Sequence, residues 1–267
     1  MYLHIGLGRA GSTYLQKKIF PYFQGIKFLS SVNSKTFNKE RINFFYNPTF
    51  ISKKKYSGKK LLISTENFFH SKTSLVKLIN EIKLFSKKPK LILILRNPKD
   101  HLISTYKHIV KTGDIWLRIE DHFNFNDTNR SQLIRPNIIF DKSLYEYDKL
   151  ILELKKNFDL EIFVFEKIFK NYFSMKDFIE QLSEIFNTKF SKKFKKSDFN
   201  SINKSLTSKI MIKQKRIKNF KKNNKKLYKK IDLNLDYFEE ICSNKFLNRF
   251  EKEIRDKNNI YFSKLNV

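Results

Sequence analysis

A glycine-rich segment near the start of the chain has the residue types of an anion-binding loop. Its chemistry-bearing members are Gly6, Gly8, Arg9, Gly11, Ser12 and Thr13. The whole chain contains only six glycines, so three of them this close together indicate left-handed backbone angles or the close approach of a ligand. The arginine supplies a full charge, and the two hydroxyl residues supply further donors. The segment therefore predicts a site for an anion.

A second candidate anion site begins at Arg96. This arginine directly follows Leu91–Leu95, a continuous apolar run. An arginine at the carboxyl end of a buried strand would reach the crevice in which open α/β sheets bind ligands. Ser104 comes about two helical turns later and would share that crevice. A planar guanidinium beside a hydroxyl is suited to binding a phosphate dianion.

The elements that must position these two sites alternate between strand and helix. Strands are predicted at residues 2–6, 26–29, 61–65, 91–95 and 161–165. Helices are predicted from residue 12 to Pro21, then at 72–86, 98–110, 143–158, 175–186, 206–222 and 235–252. Residues 35–58 are polar, aromatic and irregular, and we interpret them as a surface excursion.

This alternation predicts a three-layer α/β fold built on a doubly wound, mostly parallel sheet of about four to five strands. A helical C-terminal part follows the sheet. We expect one domain over residues 1–267, with an α/β core at 1–190 and a lysine-rich helical extension at 191–267.

The first loop resembles two families. The glycines at Gly6 and Gly11 fit a Walker A loop, but Ser12 occupies the place of the Walker A lysine. The segment Gly8-Arg9-Ala10-Gly11-Ser12-Thr13 instead resembles the 5′-phosphosulfate loop of sulfotransferases that use 3′-phosphoadenosine 5′-phosphosulfate (PAPS). The residues from Arg96 to Tyr106 closely resemble the 3′-phosphate site of the same family. Both motifs occur in the family's order.

The sulfotransferase resemblance implies a P-loop-NTPase-like fold and transfer of a sulfuryl group to a hydroxyl or amine. It implies PAPS as cosubstrate, with 3′-phosphoadenosine 5′-phosphate (PAP) as product and no metal ion. Gly8, Arg9, Ala10, Gly11, Ser12, Thr13, Arg96 and Ser104 would bind the donor. Arg9 would stabilise the leaving 5′-phosphate, and either Glu66 or His70 would act as the base. Tyr145-Glu146-Tyr147 and Glu166 resemble weaker features of the family.

One feature departs from the family. Many cytosolic sulfotransferases cover the cofactor with a glycine-containing C-terminal loop, yet no glycine follows Gly113 here. A cover for the cofactor must therefore be built differently, and lysines of residues 189–230 are available for it.

The chain is strongly basic, with a formal charge of +29. This charge favours anionic partners and agrees with an acidic or sulfated glycan as acceptor, although a compositional bias towards lysine predicts the same charge. Two other functions stay open: a P-loop nucleotide kinase or NTPase, and a basic nucleic-acid-binding protein using residues 189–230. The first lacks a clear Walker B aspartate, and the second has no base-reading motif.

The remaining composition concerns location. Cys242 is the sole cysteine, which excludes an intrachain disulfide. The first residues have no signal-peptide pattern, and no apolar run approaches the thickness of a bilayer. We expect a cytoplasmic protein without a transmembrane segment. The identity of the acceptor and the oligomeric state have no signal in the sequence.

Overall fold

A computed structural model describes residues 1–6, 9–30, 60–65, 89–112, 120, 123–124, 140–200 and 244–266. The predicted surface excursion at 35–58 and the predicted helices at 72–86 and 206–222 lie outside these residues. The described part forms two compact units. The first unit draws on Met1–Asn97, Glu146–Asn203 and Asn258–Val267. The second draws on Pro98–Tyr145 and Lys204–Lys257.

The first unit is built on five strands: β1 (Tyr2–Gly6), β2 (Ile26–Ser30), β3 (Lys60–Thr65), β4 (Lys90–Leu95) and β7 (Asp159–Val164). They form one sheet in the order β2-β3-β1-β4-β7, in which every neighbouring pair is parallel. This sheet confirms the predicted α/β class and the predicted number of strands. All its carboxyl ends lie at one edge, because the strands are parallel.

The central strand β4 shows why this sequence forms such a sheet. Each side chain from Leu91 to Leu95 is completely buried. Successive side chains of a strand point to opposite faces, so this burial requires that both faces are covered. A continuous β-rich apolar run is the sequence pattern that suits that position.

The direction in which the chain adds strands to the sheet reverses between β1 and β4. The chain leaves β1 towards β2 on one side, whereas it leaves β4 towards β7 on the other. Right-handed crossovers place connections running in opposite directions on opposite faces of a sheet. The carboxyl ends of β1 and β4 are therefore the switch point of the sheet, the place at which open α/β sheets bind ligands.

The helices of the first unit are α1 (Ser12–Lys18), α3 (Tyr147–Lys155), α4 (Phe165–Ile168), α5 (Tyr172–Phe186), α6 (Lys196–Asn200) and α8 (Asn259–Asn266). Two expectations need correction. The predicted helix at 143–158 is a 3-10 turn at Lys142–Tyr145 and then α3, because the backbone at Glu146 is non-helical (φ −87°, ψ 72°). The predicted strand at 161–165 runs from Asp159 to Val164, and Phe165 already begins α4.

The second unit has its own elements and its own apolar contacts. It contains α2 (Pro98–Thr112), the short parallel pair β5 (Phe123–Asn124) and β6 (Phe140–Asp141), and α7 (Asn244–Arg255). Tyr145 packs between His101 of α2 and Phe250 of α7, with ring centroids 5.6 Å and 5.3 Å away. The single domain expected from the sequence stays a prediction.

Candidate functional site

The loop that follows β1 requires glycine at position 11. Gly11 has a φ of 78°, in the left-handed region, and it is the N-cap of α1. A Cβ atom at this position would lie 2.5 Å from the ring of Phe169 and 3.2 Å from the ring of Phe165. Backbone conformation and space thus both favour glycine at this position over any residue with a side chain. The sequence predicted the backbone requirement, but it held no signal for the two phenylalanines beneath the loop.

The residues on either side of Gly11 differ in exposure. Arg9 is exposed and has a φ of 73°, a conformation that residues other than glycine seldom adopt. Ala10 is fully buried. Ser12 is the first residue of α1, and its buried Oγ has no hydrogen-bond partner among the described residues. No described side chain caps the amino terminus of α1. The loop therefore offers a hydroxyl and an exposed arginine to an anion.

Arg96 joins the second predicted site to this loop. Its Nη1 donates a hydrogen bond of 2.7 Å to the backbone carbonyl of Arg9. Its guanidinium also lies over the ring of Phe165, 4.7 Å from the centroid, in a cation–π contact. β1 and β4 are adjacent, so the residues that follow them meet at the same edge of the sheet. Two arginines that are far apart in sequence are thus neighbours in the fold.

A buried polar cluster lies against the body of β1. His4 Nδ1 is 2.7 Å from Ser64 Oγ on β3, and Gln16 Nε2 of α1 donates to the same oxygen at 2.9 Å. All three side chains are completely buried. Burial disfavours the charged imidazolium and lowers the pKa of His4 to about 3. The cluster connects α1, which follows the loop, to the two strands beside it.

The other predicted site residues are placed as follows. Thr13 is half-buried in the first turn of α1, and Ser104 is half-buried on α2 in the second unit. Gly8, Glu66 and His70 lie outside the described residues. β3 ends at Thr65, one residue before Glu66 in the sequence, at the edge where Arg9 and Arg96 meet.

Within the described ranges, no group of three or more His, Cys, Asp or Glu side chains is arranged to hold a metal ion. Among the same residues, no helix has both the length and the apolar character needed to cross a membrane. The expectations about metal use and cellular location stay predictions.

The first unit is an α/β fold on a five-stranded parallel sheet, with β1 and β4 adjacent. A solved structure with this fold is the sulfotransferase from Alicyclobacillus acidocaldarius, which superposes with a TM-score of 0.54. The match covers 82% of this chain and 91% of that chain at 11% sequence identity, and therefore it establishes a shared fold. No protein-family model matches the sequence, and no curated protein matches it closely enough to count as a relative.

Proposed function

We propose that this protein is a sulfotransferase that transfers a sulfuryl group from PAPS to a hydroxyl or amine. The observation that carries the proposal is the hydrogen bond between Arg96 and the carbonyl of Arg9. It joins the two motifs that resemble the 5′-phosphosulfate loop and the 3′-phosphate site. A P-loop NTPase has no need of a dedicated 3′-phosphate site, whereas a PAPS enzyme does. The fold shared with a sulfotransferase agrees with this choice.

The donor would lie along the edge formed by β1 and β4. The buried hydroxyl of Ser12 and the exposed guanidinium of Arg9 would bind the 5′-phosphosulfate. Arg96 would bind the 3′-phosphate. A guanidinium is suited to this task because its planar donors match two phosphate oxygens at once. The loop that needs glycine at position 11 would let the backbone approach the anion closely.

The reaction needs no covalent bond to the protein. The acceptor oxygen or nitrogen attacks the sulfur of PAPS, a new bond to sulfur forms, and the bond from sulfur to the 5′-phosphate oxygen breaks. PAP leaves with the added negative charge, which Arg9 would stabilise as it develops. The proton of the acceptor passes to Glu66 or to His70. Catalysis would then consist mainly of positioning and electrostatic stabilisation, as in phosphoryl transfer.

The acceptor is proposed to be anionic, such as an acidic or sulfated glycan. The formal charge of +29 supports this class, since a protein with that charge attracts anions from solution. A nucleic acid would be attracted by the same charge. The donor site separates the two cases, because a nucleic-acid-binding protein would show no preference among adenine nucleotides.

Calorimetric titration of PAP, compared with ADP and with ATP plus magnesium, tests the proposal. The wild type should bind PAP more tightly than the other nucleotides and without metal. Arg96→Ala should weaken the binding free energy of PAP by about 1.4 kcal/mol, a tenfold loss of affinity. Arg249→Ala is the matched control, because it removes an exposed arginine from α7 in the second unit. Tighter binding of ATP with magnesium, or no nucleotide binding by the wild type, would contradict the proposal.

A further inference from the structure

The peptide unit between Arg96 and Asn97 is held by hydrogen bonds at both of its polar ends. The hydroxyl of Tyr147 donates to the carbonyl oxygen of Arg96 at 2.8 Å. The N–H of Asn97 donates to Glu166 Oε1 at 2.8 Å. Together these bonds fix the plane of one peptide, and with it the backbone direction from which the Arg96 side chain departs.

The carboxylate of Glu166 is itself held by the C-terminal helix. Tyr261 of α8 donates from its hydroxyl to Glu166 Oε2 at 3.1 Å, and its side chain is completely buried. Tyr147 is also completely buried, and the two tyrosine rings are 6.0 Å apart at 65°. We call Tyr147, Glu166 and Tyr261 the peptide clamp. Its members come from three helices, and all three belong to the first unit.

The position of Tyr261 is set by reciprocal bonds between the starts of α3 and α8. The carboxylate of Asp148 accepts from the N–H groups of Asn259 and Ile260, at 2.9 Å and 3.0 Å. In return, Asn258 Oδ1 accepts from the N–H of Tyr147 at 3.3 Å. A carboxylate at a helix amino terminus satisfies amides that the helix leaves unpaired. The end of the chain is thus attached to the element that bears Tyr147.

We propose that the peptide clamp positions Arg96 for the 3′-phosphate of the donor, so that the C-terminal helix is part of the donor-binding site. This inference rests on the proposed function. Tyr261, Glu166 and Tyr147 would not touch the nucleotide; they would act through the Arg96–Asn97 peptide. A bidentate guanidinium contact depends strongly on direction, and a loosened peptide would therefore weaken that contact while leaving the rest of the site in place.

The test uses Tyr261→Phe, which removes the hydroxyl and keeps the ring that packs against Tyr147. Titrations with PAP and with adenosine 5′-phosphate, which lacks the 3′-phosphate, should separate positioning from general damage. We expect the affinity for PAP to fall about tenfold and the affinity for adenosine 5′-phosphate to stay unchanged. In an Arg96→Ala background, the same change should add no further loss, since the two residues act as one unit.

Tyr172→Phe is the matched control, because the Tyr172 hydroxyl donates to the carbonyl of Phe194 and takes no part in the clamp. Its preference for PAP should equal that of the wild type. If Tyr261→Phe does not fold, Glu166→Gln tests the clamp from α4. An unchanged ratio of PAP to adenosine 5′-phosphate affinity in a folded clamp variant would overturn the inference. A wild type without any preference for PAP would overturn the proposed function itself, before any variant is compared.

Discussion

At the scale of single residues, His4 is kept neutral by its surroundings. The imidazole is completely buried beside Ser64 and Phe20, whose ring centroid is 4.8 Å away. Gln16 donates to Ser64 Oγ, the same oxygen that lies 2.7 Å from His4 Nδ1. Folding therefore lowers the pKa of His4 from its ordinary 6.5 to about 3.

This lowered pKa predicts a loss of stability in mild acid. Below pH 6.5 the unfolded state takes up a proton that the folded state refuses, so the free energy of unfolding decreases as the pH decreases towards 3. Between pH 7 and pH 5 the contribution of one such histidine is about 2 kcal/mol. Urea denaturation of the wild type and of His4→Asn at both pH values measures this contribution. Between pH 7 and pH 5, the free energy of unfolding should decrease by about 2 kcal/mol less in the variant than in the wild type.

Ser64→Ala is the control for this experiment, because it removes the bond to His4 Nδ1 while keeping the imidazole buried. Its dependence on pH should remain close to that of the wild type, although its stability at pH 7 will be lower. If His4→Asn and the wild type lose the same free energy between pH 7 and pH 5, His4 is not held neutral by the fold.

The sequence placed Arg9 and Arg96 after two strands, and it gave no signal for residues that contact them or their loop from distant parts of the chain. Arg9 and Arg96 were identified because each follows a predicted strand, and the parallel sheet brings them together. Phe169 and Tyr261 carry no such signal. Their roles depend on contacts with Gly11 and Glu166, which are far away in sequence, and an aromatic residue is expected in any core.

At the scale of elements, α5 shows how local signals define a helix. Its buried side chains are Met175, Phe178, Ile179, Leu182 and Phe186, which form one apolar face. At its start, Asn171 accepts a bond of 2.9 Å from the N–H of Ser174. At its end, Asn187 adopts a left-handed φ of 46°, a usual C-terminal cap.

The cap at Asn171 predicts a measurable contribution to stability. Asn171→Ala removes the acceptor for one of the amides that the first turn leaves unpaired, and it should lower the free energy of unfolding by about 1 kcal/mol. Asn171→Asp, which keeps an acceptor at the same place, should stay close to the wild type. Urea denaturation of the three proteins measures both effects. An unchanged free energy of unfolding in Asn171→Ala would show that the cap contributes nothing.

Among the described elements, the apolar strand β4 and the periodic helices α2 and α5 were predicted well, whereas elements defined by distant contacts were not. The run from Leu91 to Leu95 identified β4, and its complete burial confirms it. The break at Glu146 was missed, because the apolar pattern continues through it. The helix α8 was also missed; it is short, and its start is stabilised by Asp148, more than a hundred residues earlier.

At the scale of the whole molecule, 55 basic residues outnumber 26 acidic residues, which gives a formal charge of +29. Residues 189–230 are rich in lysine, and we call them the basic tract. Four of its described lysines are exposed: Lys189, Lys193, Lys195 and Lys196. Asp198 is the acidic residue there, and its carboxylate already binds Lys192 at 2.7 Å. A net charge of this size produces a positive potential well beyond contact distance.

This potential predicts that PAP associates faster at low salt. The screening length shortens from about 10 Å at 0.1 M salt to about 3 Å at 1 M, so the association rate constant should fall roughly tenfold over that range. Dissociation should change less, because it depends on close contacts such as those proposed for Arg96. Stopped-flow mixing with a fluorescent PAP analogue separates the two rate constants.

Replacing Lys189, Lys193, Lys195 and Lys196 by glutamine tests whether fast association of PAP comes from the net charge of the protein or from direct contacts with these lysines. The formal charge becomes 29 − 4 = +25, and a field effect should slow association only modestly, with both proteins reaching the same rate at 1 M salt. An association rate that does not depend on salt would contradict the steering argument. Complete loss of PAP binding in this variant would instead assign the tract a direct contact with the nucleotide, as expected of a lysine cover over the donor.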